Sequence, residues 1–270
     1  MKFEGKTVII TGGASGIGAA LAERATEAGA RVCVADLDLA GAQAVAGRIN
    51  GLSVACDVTD ETQITQAIAQ TEAAFGDVDI FVSNAGFGRG DPDHAASAPD
   101  AEWMQSWQVH VMAHVYAARA LLPKMIARGS GHLVNVASAA GLLNQIGDAA
   151  YTATKHAAVS FAESLAISHG DDGVGVSVVC PQYVATPLLG LSDLDADQSN
   201  SLLTADQVAQ TIVMGVEADE FMILPHSQVA GYYELRAQDS TRWIKGMQLL
   251  RAKAKAEYPG LNVQDFYKLV

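Results

Sequence analysis

The segment YTATK sets a phenol, Tyr151, and an ammonium, Lys155, four residues apart, on one face of a helix. A free tyrosine has a pKa of about 10, too high for a good base at neutral pH. An adjacent ammonium favours the phenolate, so the pair is suited to taking and returning a proton. Ser138 lies 13 residues before Tyr151 and could hold a substrate oxygen beside the phenol. Taken alone, a helix with one aromatic and one cation is a common structural pattern. The chemical reading needs a partner site.

TGGASGIG, residues 11–18, supplies it. Its glycines let the chain turn tightly and let backbone N–H groups approach a pyrophosphate, and the N-terminus of the helix it opens favours an anion. Gly12, Ser15, Gly16, Ile17 and Gly18 are the candidate contacts. A lone glycine pattern is weak evidence, but this one sits between a strand pattern and a helix pattern. Asp36 follows 18 residues after Gly18, at the end of the next strand pattern. A carboxylate there accepts hydrogen bonds from an adenosine ribose diol and repels a 2′-phosphate. Neither Ser15 nor Leu37 is basic, so NAD is expected rather than NADP. With NAD⁺, Tyr151 would take the proton of a secondary alcohol while the carbinol hydride leaves to the nicotinamide, and the reverse would reduce a ketone. Lys155 would also hydrogen-bond the nicotinamide ribose.

A third stretch, WQVHVMAHVYAARALLP at 107–123, carries His110 and His114 four apart on a helix. Two histidines at that spacing can share a metal, but no third ligand and no HExxH pattern accompany them, so no metal is expected.

The elements that must position these residues alternate along the chain. TVIIT, RVCVAD, LSVAC, DIFVSN, HLVNVAS, GVSVVCP and FMILP read as strands. Helical patterns fill about 16–29, 38–50, 60–75, 101–128, 149–169 and 205–218. The strands are near-continuous apolar runs, as in a sheet covered on both faces. The expected fold is α/β: a single Rossmann-type, doubly wound parallel sheet of about seven strands with helices on both faces, one domain over 1–270. A helical extension is expected at about 226–257, with Trp243, Met247 and Leu250 on the face that packs on the body. Two stretches fit no element, 86–99 and a substrate loop at about 183–203. Both follow strands, at the end of the sheet where ligands bind.

Composition narrows the setting. A chain of 270 residues with 50% apolar content suits one large domain. No apolar run reaches the roughly 18 residues of a membrane span, and MKFEGKTVII reads as a mature N-terminus entering a strand. Cys33, Cys56 and Cys180 lack metal-like spacing and read as buried, reduced thiols, which fits the cytoplasm. The formal charge of −13 argues against a nucleic-acid surface. Seven of the 17 Lys and Arg lie between Arg236 and Lys268, which reads as the solvated face of a C-terminal helix.

The glycine spacing Gly-x-x-x-Gly-x-Gly, Asp57-Val58 after the third strand, SNAG at 83–86, Ser138 and YTATK together resemble the short-chain dehydrogenase/reductase family over nearly the whole chain. The resemblance implies that Asp57 and Val58 flank the adenine. It implies that Asn84, Ala85 and Gly86 border the cofactor and brace the central strand. Tyr151 and Lys155 would contact the cofactor as well as the substrate, and Pro181 and Thr186, after the sixth strand, would hold the nicotinamide end. The family's fourth catalytic residue is an asparagine, and alignment on Trp107 and Leu122-Pro123 places His110 there. The family asparagine bends its helix, and its main-chain carbonyl holds a water linked to the lysine. His110 would keep that backbone role or relay protons through its own ring. His114 is then a packing or interface residue. A second departure is Gln182, where the family has glycine after Pro181. The resemblance also implies a homotetramer or homodimer built on the helices at about 101–128 and 149–169.

The substrate pocket is expected from residues 141–148, from 182–191 and near Phe87, with Gln145, Gln182 and Leu188 joining Ser138 and Tyr151 as contacts. These stretches are largely apolar, which favours a hydrophobic secondary alcohol or ketone. Arg89 is the one cation that could approach from the 86–99 loop. The competing readings are an NADPH-dependent ketoacyl reductase of the same fold and a catalytically idle NAD-binding scaffold. An epimerase of the extended branch is disfavoured by length and glycine spacing.

Overall fold

The computed structural model describes residues 1–91, 93–192 and 201–257. In chain order the first half runs β1 (Thr7–Thr11), α1 (Gly16–Glu27), β2 (Arg31–Asp36), α2 (Leu39–Ile49), β3 (Leu52–Ala55), α3 (Glu61–Phe75), β4 (Ile80–Ser83), α4 (Asp100–Trp107), a π-helical turn (Gln108–Met112) and α5 (Ala113–Arg128). The second half runs β5 (Gly131–Val136), α6 (Ala140–Leu143), α7 (Ala149–His169), β6 (Val174–Val179), β7 (Tyr183–Ala185), β8 (Leu202–Thr204), α8 (Ala205–Glu217), β9 (Met222–Ile223), α9 (Gln228–Gln238) and α10 (Ser240–Glu257).

Seven strands form one parallel sheet in the order β3-β2-β1-β4-β5-β6-β9. Parallel neighbours need crossovers, and the intervening helices cover both faces of the sheet. That is why β1, β4 and β5 are buried along their whole length. On one face Ile64 and Ile68 of α3, Leu121 of α5 and Ala158, Ala162 and Leu165 of α7 pack on the strands. On the other lie Leu21 and Ala25 of α1, Val45 of α2 and Val208, Ile212 and Val216 of α8. The recurrence at three and four residues is the helical period that places these side chains on the sheet. Side-chain caps start several helices: Asp38 for α2, Asp60 for α3, Asp148 for α7, and a Thr204–Gln207 capping box for α8.

Two expectations about elements need correction, and a third gains detail. The helix read over 101–128 is broken by the π turn at 108–112, which carries His110. A single extra residue per turn leaves no mark in hydrophobic spacing. The helical extension expected over 226–257 is present as two helices, parted at Asp239 (φ −149, ψ 89). The segment 183–203 is not wholly irregular: β7 and β8 at its two ends pair in parallel as a small second sheet, while 193–200 lies outside the described residues.

Candidate functional site

The strand order reverses between β1 and β4, and their carboxyl ends open a crevice there, the usual ligand position in an open α/β sheet. A cleft of about 670 Å³ occupies it. One end is built by the turn from β1 into α1. Gly12 has φ +63, and a Cβ on it would sit 2.7 Å from the Ala85 Cα. A Cβ on Gly18 would collide with the Gly12 carbonyl. The glycines therefore serve a backbone-to-backbone approach that no side chain permits. Ser15 is the N-cap of α1 without a side-chain cap bond, so this helix start faces the cleft. Asn84 locks the floor: its Nδ2 donates to the Thr11 carbonyl at 2.9 Å and to that of Gly12 at 3.1 Å.

At the adenosine end of such a site stands Asp36, whose carboxylate accepts from the Ala14 N–H and the Asp38 N–H, each at 2.9 Å. These bonds fix its position at the end of β2. Leu37, beside it, is 77% exposed. Asp57 and Val58 also line the cleft, the Asp57 carboxylate accepting from the Thr59 N–H and hydroxyl. The glycine cradle, the helix start and the diol-accepting carboxylate fit a dinucleotide.

The opposite wall gathers Ser138, Tyr151 and Lys155. Ser138 follows β5, and Tyr151 and Lys155 stand on successive turns of α7. The Lys155 Nζ lies 5.5 Å from the Tyr151 ring centroid and donates to the Val136 carbonyl at 3.0 Å. Pro181, Gln182 and Thr186 close the cleft from the β6–β7 side, with Leu188 at the rim. The sequence reading thus brings its candidates to one crevice, with two exceptions: His110 and Gly18 support it from behind.

The family profile described as short chain dehydrogenase matches residues 6–196. The chain belongs to the short-chain dehydrogenase family. A 1-deoxy-11-beta-hydroxypentalenate dehydrogenase of Streptomyces avermitilis is 33% identical over 234 residues, 84% of this chain and 87% of its own length. Zerumbone synthase of Zingiber zerumbet is 30% identical over 262 residues, 93% of this chain and 94% of its own. A short-chain dehydrogenase/reductase from Burkholderia phymatum, solved in complex with NAD, superposes with a TM-score of 0.80 at 28% identity, covering 88% of this chain and 95% of that one. The protein is therefore an oxidoreductase of alcohols and ketones that uses a nicotinamide cofactor.

In this short-chain dehydrogenase the electrostatics differ from the simple phenol–ammonium picture. Low-polarity surroundings push the Tyr151 phenol up to about 12, and a hydrogen bond with Ser138 works the other way. Burial is the largest influence on the phenol. Lys155 is itself brought down from 10.5 to about 8 by burial, with a small opposing effect from Cys180. Between about pH 8 and pH 10.5 the unfolded chain holds a proton on this lysine that the folded chain has lost, so stability rises with pH there. Lys155→Met removes the effect. The stability of the unsubstituted enzyme relative to Lys155→Met is expected to grow by up to about 3 kcal/mol from pH 7.5 to pH 10. Urea unfolding at both pH values measures it, and parallel profiles would refute it.

Both His110 and His114 are buried. The His110 Nε2 accepts from the Phe87 N–H at 3.2 Å, so the neutral ring carries its proton on Nδ1, 3.0 Å from the Thr154 hydroxyl. Burial, with the nearby Lys155 charge, lowers its pKa well below 6.5. Both nitrogens are engaged in hydrogen bonds within the fold. The His114 Nδ1 lies 2.7 Å from the Asn135 Oδ1. The two rings face different partners, and His114 is a packing residue.

Two pocket expectations are corrected. Arg89 does not reach into the cleft. Its guanidinium lies 5.2 Å from the Phe87 ring centroid and bonds Gln105 at 2.8 Å, with Glu102 3.7 Å away. Of the apolar run LLNQI, only Gln145 lines the main cleft; Leu142 is core, and Leu143, Asn144 and Ile146 line a separate cavity.

Two supporting residues escaped the sequence reading. Asp148 caps Tyr151 N–H at 3.2 Å with one oxygen and accepts from the Gly90 and Arg89 N–H groups at 3.0 and 3.2 Å with the other. It ties the loop after β4 to the helix that carries Tyr151. His226 accepts from the Gln182 N–H at 3.1 Å and bonds the Tyr183 carbonyl at 2.9 Å, while the Gln182 Oε1 accepts from Gln228 at 3.3 Å. Gln182 is therefore held by the segment before α9. The Asp148 cap, just before a helix pattern, was readable in principle; nothing local marks His226.

Proposed function

We propose that the enzyme is an NAD-dependent dehydrogenase that interconverts hydrophobic secondary alcohols and their ketones, with Tyr151 as the acid–base group. The observation that carries this reading is the convergence of Ser138, Tyr151 and Lys155 on one wall of a cleft whose far end presents Asp36 beside an uncharged Leu37. Bound NAD supplies the hydride acceptor and a positive charge that favours the phenolate. Ser138 holds the substrate oxygen against the Tyr151 hydroxyl. Tyr151 takes the alcohol proton in oxidation and returns it in reduction, and Lys155 anchors the cofactor ribose and adds positive potential. His110 acts through its backbone: it sits in the π turn, where carbonyls leave the α-helical ladder. His110→Asn is accordingly expected to keep most of the turnover.

The three buried thiols support a cytoplasmic location. Exposed Met104 and Trp107 on α4, Ile126 on α5 and Ile167 on α7 support a homodimer or homotetramer built on those helices; light scattering reads the mass, and a monomer would refute it. The deciding experiment is NADH formation from NAD⁺ across a panel of hydrophobic secondary alcohols, repeated with NADP⁺. Turnover with NAD⁺ and little with NADP⁺ is expected. Equal use of both cofactors would overturn the NAD assignment, and no turnover across the panel would overturn the substrate class.

A further inference from the structure

We propose that the substrate is elongated, and that its apolar end enters a second cavity of about 250 Å³ walled by the C-terminal helices. This rests on the reading of the main cleft as the site of alcohol oxidation. The second cavity shares Gln145, Gln182 and Tyr183 with that cleft, so these side chains form a partition between the two. Behind it stand Leu143, Ile146, Tyr232, Trp243, Met247 and Leu250, and none of the residues around the cavity is charged.

Three observations make this a built compartment. Trp243, Met247 and Leu250 recur at four and three residues along α10, so one helix face is turned to the cavity while Ile244 and Leu249 point to solvent. The helices are fastened to the catalytic frame: Arg236 of α9 donates to the Leu142 carbonyl and meets the His156 Nε2, next to Lys155, at 3.1 Å. His226, just before α9, holds the other side through Gln182 and Tyr183. The partition is weaker than its frame. Gln145 and the Tyr183 hydroxyl are 3.4 Å apart, at the long limit of a hydrogen bond. To join the two spaces, the Gln145 side chain must rotate, breaking this contact and its Nε2 bond to the Ile146 carbonyl at 3.3 Å. The lining is mostly apolar, with Asn144, Gln145, Gln182, Tyr183 and Tyr232 as its polar members, and Met247 adapts its shape to an entering chain. An alkyl chain or ring is the chemistry that gains most there, whereas a charged tail would meet no counter-ion on these walls.

The test uses secondary alkanols from butan-2-ol to decan-2-ol, with the full-length enzyme and Met247→Trp, which fills the cavity from α10 far from the reacting atoms. Burying one methylene is worth about a fourfold gain, so kcat/KM is expected to rise on the order of a hundredfold from hexan-2-ol to decan-2-ol. Met247→Trp is expected to hold that rise below about threefold and to leave butan-2-ol within about twofold of the unsubstituted enzyme. A flat length dependence, or a rise that Met247→Trp leaves intact, would overturn the proposal. A binding arm separates it from the reaction itself. A decan-2-ol carrying a terminal bromine should quench Trp243 emission in a Trp103→Phe/Trp107→Phe background, and Met247→Leu should preserve the quench. Quenching without oxidation of any alkanol would sink the reaction reading and keep the cavity; oxidation without quenching would do the reverse.

Discussion

Tyr151→Phe is expected to abolish alcohol oxidation while NADH still binds. The substitution removes one oxygen and keeps the ring that packs against His110, whose centroid is 5.4 Å away. The fold and the cofactor end of the cleft should therefore be untouched. What disappears is the only hydroxyl on α7 that lies against Ser138 and faces the cleft. General acid–base catalysis is typically worth about 10²–10⁴-fold, and the loss should reach the upper part of that range because the nearby Asp148 and His110 are already engaged. Asp148 spends its oxygens on backbone N–H groups, and the His110 ring nitrogens are both engaged. A buried phenol pushed up to about 12 implies that, without the cofactor's charge, the base form is scarce at neutral pH. Steady-state rates and NADH fluorescence titration measure the two halves of the prediction. Residual turnover within tenfold of the unsubstituted enzyme would remove Tyr151 from the acid–base role.

Asp36→Ser combined with Leu37→Arg is expected to reverse the cofactor preference. The Asp36 carboxylate sits at the end of β2, held by two backbone N–H groups, where it can accept from a ribose diol. Hydrogen bonds to a charged group contribute about 1.5–3 kcal/mol, so losing them should lower kcat/KM for NAD⁺ on the order of a hundredfold. A serine removes the charge that repels a 2′-phosphate and still accepts from nearby N–H groups. Leu37 is solvent-facing, so an arginine there costs no packing and supplies a bidentate phosphate partner. A comparable gain for NADP⁺ is expected. If the unsubstituted enzyme uses NADP⁺ as readily as NAD⁺, or the double variant leaves the ratio unchanged, Asp36 does not select the cofactor.

The alternation of strands and helices was legible because a strand buried on both faces must be continuously apolar, while a helix buried on one face must repeat at its own period. The glycine turn was legible for a different reason. Gly12 and Gly18 are places where backbone approaches backbone, and only one residue type allows that. Chemistry confined to a local spacing, such as Tyr151 and Lys155 on adjacent turns, was equally visible. The π turn at 108–112 was not, since widening one turn changes no residue type. The fate of His110 and His114 was hidden because it depends on Phe87, Thr154 and Asn135, partners from other elements.

The sequence by itself determined the doubly wound sheet, the glycine turn and the candidates for the reacting side chains, because each is written in spacing along one segment. Only the tertiary structure decided where the polar and apolar surroundings fall. It set Arg89 against Phe87 and Glu102 and away from the substrate, and gave Gln182 its brace from His226, 44 residues away. It also turned Leu143 and Ile146 from the main cleft into a second cavity lined in part by α10. Those outcomes are contacts between segments distant in the chain. Their energies come from burial and hydrogen bonds that exist only once the sheet has brought its loops to one edge.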